Sequence, residues 1–239
     1  MHMLQILEKI IPPIIYNYII KIKNLKKTYY GFEGLDKKLE SYLNFENGFF
    51  VELGANDGKT QSNTLYFETY RNWKGVLIEP TPSSFLKCLT NRNSKTQVFC
   101  NACVSFDYPD KYVEIIYSNL MSTPIGLESD IKDANAHTDK GVKFLPHKET
   151  KFKFGAIAKT LNSILDEANA PKDIDFLSLD VEGAELEVLK GIDFNKYVFK
   201  FICIESRSIE SISQYMKKQN YNLIEKITHH DYLFKHVDQ

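Results

Sequence analysis

The sequence predicts an α/β fold: a Rossmann-like, mostly parallel twisted sheet with helices on both faces and an antiparallel strand at the end of the chain. Three observations carry this. From residue 49 onward, short apolar runs alternate with stretches of helical period. Several runs, "GFFVEL" (48–53) above all, are nearly continuous in apolar residues, as strands covered on both faces require. The runs also end in acids and glycines, as strand ends that border a ligand cleft do.

The elements follow in order. "GFFVEL" is the first strand and "NTLYFETYR" the first helix. "GVLIEP" (75–80) is the second strand, closed by Pro80. "TPSSFLKCLTNR" places a proline near a helix start, with Phe85 and Leu89 at helical spacing. "QVFCNACVSF" reads as a third strand and "KYVEIIYS" as a fourth. Residues 119–150 are rich in Ser, Thr, Asp, Asn, Pro and Gly and lack periodicity. An irregular stretch of that length suggests a lid, entered through Tyr117, Ser118 and Asn119. "AKTLNSILDEAN" is an amphipathic helix. "DIDFLSLDVEG" (173–183) is a buried strand, "AELEVLKGI" a helix, "FKFICIESR" a strand and "SIESISQYMKKQ" a helix. "YNLIEKITHHDYLFKH" gives two strands around Thr228, His229 and His230, the source of the antiparallel partner. The resulting division is an N-terminal extension, 1–46, and a main domain, 47–239, with 119–150 as an insertion.

Composition bounds the function. The chain has 239 residues, 43% hydrophobic and 26% charged, with a net charge of −1. This is the profile of a globular protein without the basic field that nucleic-acid binding needs, so no nucleic-acid partner is expected. Cys100 and Cys103 form one CxxC. It lacks the second pair or His pair of a zinc site, so with Cys88 and Cys203 they read as reduced thiols. No secretory signal is legible, which points to the cytoplasm. Residues 4–27 carry isoleucines at helical spacing followed by Lys21, Lys23, Lys26 and Lys27, in a run too short to span a bilayer. Two readings stand: a basic helix on the inner face of a membrane, or a helix packed on the body or on a second subunit of a homo-oligomer.

The strand ends carry the chemistry. After the first strand comes Glu52-Leu53-Gly54-Ala55-Asn56-Asp57-Gly58. The second ends in Glu79-Pro80, a later one in Asp180-Val181-Glu182-Gly183, and the next in Glu205-Ser206-Arg207. Gly54 allows a tight turn against a ligand. Glu79, on the neighbouring strand end, suits the two hydroxyls of a ribose. The loop is not the G-x-G-x-x-G that receives a diphosphate, and carboxylates at positions 52 and 57 would repel one. They would attract the ammonium and sulfonium of S-adenosylmethionine, and that ligand is the expected one.

The segments "FVELGANDGKTQSNTLYFE", "WKGVLIEPTPSSF", "NACVSF" and "IDFLSLDVEGAELEVLKGIDF" together resemble the FkbM-type methyltransferases over about residues 47–235. The resemblance implies a class I methyltransferase sheet with S-adenosylmethionine as donor. Family members are mostly O-methyltransferases of sugars or polyketide-attached hydroxyls, so the implied acceptor is a sugar hydroxyl of a nucleotide sugar or surface polysaccharide. Another small-molecule or lipid-headgroup acceptor, or a non-catalytic donor-binding role, is the alternative. Carried onto this sequence, Glu52, Gly54, Asn56, Asp57 and Gly58 form the donor loop and Glu79, with Pro80, meets the ribose. Asn101 and Ala102 border the adenine. Asp180, Glu182 and Gly183 face the methyl group and the acceptor. Many members carry Lys two positions before the Asp; here it is Ser178. Gln61, Ser62 and Asn63 either hold the donor's carboxylate or start the following helix.

Methyl transfer from a sulfonium needs an aligned acceptor oxygen and a route for its proton. Asp180, Glu182 and Glu205 on adjacent strand ends offer oxygen ligands for Mg²⁺ or Mn²⁺. Alternatively, Asp180 or Glu182 is itself the base. His229 is a further candidate base, as to a lesser degree are His137, His147 and His230.

Overall fold

The computed structural model describes Pro12 and residues 27–238. The amphipathic helix expected over 4–27 therefore lies outside the described residues, Pro12 and Lys27 apart.

The central sheet has seven strands: β1 (Phe49–Leu53), β2 (Lys74–Ile78), β3 (Gln97–Phe99), β8 (Asp173–Leu179), β9 (Val198–Glu205), β10 (Tyr221–Lys226) and β11 (Asp231–His236). Their order is β10-β11-β9-β8-β1-β2-β3. β1 pairs in parallel with both β2 and β8, and β8 with β9; β11 runs antiparallel to β9 and β10. With its switch of direction between β1 and β8 and its reversed β11, this is the Rossmann-like methyltransferase sheet that the sequence predicts.

Side-chain alternation along the strands sorts the core onto two faces. Phe50, Leu77 and Phe176 point to one face. There they meet Tyr66 and Phe67 of α2 (Leu65–Arg71), Cys88 of α3 (Pro82–Asn91) and Trp73. Val51, Leu53, Ile78 and Leu179 point to the other. They pack on Leu161 and Leu165 of α5 (Leu161–Glu167), Val188 of α6 (Glu185–Leu189) and Met216 of α7 (Ile209–Lys218). The residues before β1 join the first face. Leu35 and Leu39 of α1 (Leu35–Leu39), together with Leu43, are buried against Phe50, Phe67 and Trp73. Glu40 fastens this segment, accepting from Lys27 (2.9 Å), Arg71 (2.8 Å) and the Tyr29 hydroxyl (2.7 Å). Burial would raise its carboxyl, but bonds from Tyr66, Tyr29, Lys27 and Arg71 hold it down at about 2.

Three expectations are corrected. The third strand stops at Phe99. The chain then leaves the central sheet, and β4 (Ala102–Cys103) joins a second, four-stranded sheet of order β4-β7-β5-β6. The expected fourth strand, β5 (Tyr112–Tyr117), lies in that sheet too. Its long antiparallel partner β7 (Phe152–Lys159) is absent from the sequence reading. β7 is half exposed and its short apolar stretch is broken by Gly155 and built on alanines, so it gives a weak strand signal; pairing with β5, register Tyr112↔Ile157 to Tyr117↔Phe152, makes it a strand. Residues 119–150 are also more ordered than expected. They hold β6 (Thr123–Ile125), paired with β5, and α4 (Ala134–Gly141), whose first turn is capped by Asp133 accepting from the Ala136 amide at 2.9 Å.

Candidate active site

A cavity of about 360 Å³ opens beyond the carboxyl ends of β1, β2, β8 and β9. One end is lined by Glu52, Gly54, Asn56, Glu79 and Pro80. The other is lined by Asp180, Glu182, Glu205, Arg207 and Asp231. Phe32, from the segment before β1, and Met121 and Phe144, from the insertion, wall its mouth.

The first end is a tight turn braced by a carboxylate. Gly54 has φ +75°, and a Cβ there would lie 1.7 Å from the Asp180 carbonyl oxygen, so only glycine lets the ends of β1 and β8 meet. The Asn56 amide donates to Glu79 Oε2 at 2.9 Å, and the Thr81 amide to Glu79 Oε1 at 2.8 Å. Burial nevertheless dominates and pushes the Glu79 carboxyl up to about 7. Glu52 is held from several sides. Its oxygens accept from Ser62 Oγ, the Asn63 amide (2.8 Å), Thr64 Oγ1 (2.5 Å) and Arg92 Nη1 (3.2 Å).

The second end concentrates acids. Burial, then the charges of Glu205 and Glu182, raise the Asp180 carboxyl well above the carboxylate range. Glu205 is raised as well, first by burial. The pair thus retains a proton that an isolated carboxylate would lose. Glu205 Oε2 is buried without a hydrogen-bond partner among the described residues. Glu182, at φ +56°, accepts from Arg207 Nη2 at 2.9 Å and contacts His137 Nε2 of α4 at 2.8 Å. Glu185 Oε1 accepts the amides of Val181 and Gly183 and so shapes the turn; burial pushes its carboxyl up to about 8.

Oxygens of Asp180, Glu182 and Glu205 lie within 4.8 Å of one another, so the three fit one divalent cation. Arg207 already stands 2.9 Å from Glu182 and 3.9 Å from Glu205, supplying part of the positive charge a metal would bring.

A scan against family models then decides the wider reading. The methyltransferase FkbM domain matches residues 52–234, most of the chain. The chain belongs to the FkbM methyltransferase family. A search of curated proteins finds no match. Among solved structures, this FkbM protein is similar to M. capricolum TrmK in complex with S-adenosyl-homocysteine (12% identity, TM-score 0.38). That alignment covers 83% of this chain and 66% of TrmK, just under two thirds of its length. It is also similar to precorrin-6y C5,15-methyltransferase from Geobacter metallireducens GS-15 (10%, TM-score 0.39) and to a SAM dependent methyltransferase from Aquifex aeolicus (10%, TM-score 0.40). Each of these two alignments covers 84% of this chain and 87% of the other. At such scores these likenesses carry no inference about substrate.

The FkbM motif residues separate in space. Glu52, Gly54, Asn56, Ser62, Asn63, Glu79, Pro80, Ala102 and Asp180 line the cavity, whereas Asp57, Gly58 and Asn101 do not. Asp57 instead accepts the amides of Lys59 and Thr60 and so folds its own turn, and Asn101 Nδ2 donates to the Ile157 carbonyl. Ser62 Oγ accepts the Leu65 amide at 3.1 Å at the start of α2, and Asn63 Nδ2 donates to Ser178 Oγ at 3.0 Å. Ser62 is thus engaged in its own turn, and Asn63 ties that turn to β8. Gln61, exposed at φ +60°, lines the cavity. His229 is corrected outright as a candidate base. Its side chain is 86% exposed in the β10–β11 turn, 3.5 Å from Glu33, and it does not line the cavity. Of the histidines named as candidate bases, His137, in α4, is the one that reaches the acids. Arg92, whose side chain is 1% exposed between Glu52 and Glu68, was missed by the sequence reading.

Proposed function

We propose that this FkbM family member transfers a methyl group from S-adenosylmethionine to a hydroxyl, and that the acceptor is a sugar. The observation that carries the reading is one cavity with a ribose-type carboxylate, Glu79, at one end and the proton-retaining Asp180–Glu205 pair at the other. Glu79 accepts the donor's two ribose hydroxyls, for which its oxygens suit best when ionised. The turn at Gly54 lets the donor approach the backbone. The acceptor enters between Phe32 and Phe144, whose exposed rings offer apolar faces to a sugar ring. Its hydroxyl donates to Glu205, which lines the cavity and whose Oε2 has no hydrogen-bond partner among the described residues. As the oxygen attacks the methyl carbon and sulfur leaves, the proton passes to the Asp180–Glu205 pair. The pair acts as base in its fully ionised form, which takes up its first proton more strongly than a solvated carboxylate does. Glu182, held by Arg207 and His137, orients the sugar.

A bound Mg²⁺ or Mn²⁺ would be held by Asp180, Glu182 and Glu205 and would lower the acceptor hydroxyl's pKa. Segment 119–144 covers the acceptor end as a lid, tied down by the His137–Glu182 contact. A nucleotide sugar or a surface glycan fits this reading, with no nucleic-acid partner, as would an enzyme working at the inner membrane face. No helix among the described residues is long and apolar enough to cross a membrane.

The test is methylation of a glycan panel by wild type and by Asp180→Asn, with and without a chelator. The base reading expects Asp180→Asn to lose about a hundredfold or more in kcat and the chelator to leave wild type unchanged. Full turnover by Asp180→Asn would sink the assignment, and loss of activity with chelator would move the chemistry to the metal.

A further inference from the structure

The donor loop is held from behind by one face of one helix. Cys88 Sγ contacts the Asn56 carbonyl at 3.0 Å, Asn91 Nδ2 donates to the Asp57 carbonyl at 2.8 Å, and Arg92 Nη1 donates to the Gly58 carbonyl at 3.3 Å. Three consecutive carbonyls are thus taken by residues three and four apart at the end of α3, the spacing of neighbours on one helix face. Arg92 reaches further. Its Nη1 pairs with Glu52 Oε2 at 3.2 Å and its Nε with Glu68 Oε2 at 3.0 Å, while Nη2 donates to Thr64 Oγ1 at 2.9 Å. One guanidinium therefore spans the loop from Gly58 to Thr64 and fixes the carboxylate at the end of β1. It also lies over the Phe50 ring, 5.1 Å from the centroid.

Gly58 is the complement of this clamp. At φ +77°, a Cβ would come 3.1 Å from both Arg92 Cγ and Cys88 Cα. The second half of the glycine motif thus seats the loop on α3 rather than touching the cavity. Glu79 completes the arrangement on the cavity side by accepting the Asn56 amide at 2.9 Å. The backbone at Asn56 is gripped from both directions, its N–H by β2's end and its C=O by α3.

We propose that Asn91 and Arg92, with Cys88, are positioning residues for donor binding, pre-organising residues 54–58 without touching the donor. A loop already held in its bound geometry spends less of its binding free energy on ordering. The proposal rests on the reading of S-adenosylmethionine as donor. It also changes the electrostatics of the site: Arg92 meets the charge of Glu52 from behind, so Glu52 presents a fixed acceptor rather than a free anion.

Calorimetric titration of S-adenosylhomocysteine into wild type, Asn91→Ala and Arg92→Lys tests this, beside thermal melts of each. Asn91 makes an exposed contact, so its variant keeps a melting temperature within about 2 °C of wild type. Its dissociation constant rises about threefold, the loss of one neutral hydrogen bond. Arg92→Lys keeps the charge but loses the fork, and its dissociation constant rises about tenfold. Variants that melt lower yet bind S-adenosylhomocysteine as wild type does would overturn the positioning role and leave the donor reading standing. A wild type with no affinity for S-adenosylhomocysteine would overturn the donor reading and this proposal together.

Discussion

Glu52 and Glu79 end adjacent strands, and in the sequence they look equivalent. The structure separates them: Glu52 shares Arg92 with Glu68 and is saturated by the turn over 62–64, whereas Glu79 is buried with no cation paired to it among the described residues. The electrostatic case for a cationic donor therefore rests on Glu79 and the acids across the cavity. Glu205→Gln, which removes the carboxylate's ability to take a proton, is expected to lower kcat about a hundredfold, with S-adenosylhomocysteine affinity unchanged by calorimetry. Glu79 and Glu185 also set a pH dependence. Their ordinary value is 4.5, and burial lifts them to about 7 and about 8 in the folded chain. Between those limits the folded state binds more protons than the unfolded one, so stability falls as pH rises through that window. Glu79 alone accounts for a loss of ~3 kcal/mol. Melts of the ligand-free protein should therefore give a higher midpoint at pH 5.5 than at pH 8; a flat or rising profile would contradict the assignment. Glu79 was legible because an acid after an apolar strand is a local pattern. Arg92 was not, because its role depends on which distant segments fold against it; His137 was one of four candidate histidines, and only the fold of the insertion singles it out.

At the scale of elements, the buried parallel strands were readable and the one-sided ones were not. β1, β2, β8 and β9 are apolar on both faces, and that periodicity is written in the sequence. β7 has one covered face and a glycine, so only its partner β5 reveals it. The segment before β1 was read as an extension, yet Leu35, Leu39 and Leu43 are among the buried residues of the main core. Leu39→Ala should cost about 3 kcal/mol, the usual penalty for emptying a buried leucine site, and chemical denaturation measures it. A change under about 0.5 kcal/mol, the range of surface substitutions, would show that this segment is not part of the folding unit. Because the same segment delivers Phe32 to the cavity mouth, its loss should also weaken acceptor use.

For the whole molecule, a Rossmann-like sheet brings Glu79, Asp180 and Glu205 to the walls of one cavity, the arrangement from which the ribose and base roles are proposed. The order β3-β2-β1-β8-β9 brings the ends of β1, β2, β8 and β9 together, and Gly54 lets the two middle ones touch. The family assignment and the strand order agree on a methyltransferase; the acceptor is the less constrained half, since its walls come from Phe32 and the insertion. The most direct test is calorimetric titration of S-adenosylhomocysteine into wild type and Glu79→Ala. The account predicts one-to-one binding by wild type, weakened about tenfold or more when the carboxylate and its paired hydrogen bonds are removed. Equal affinity in the two proteins, or no binding by wild type, would contradict it.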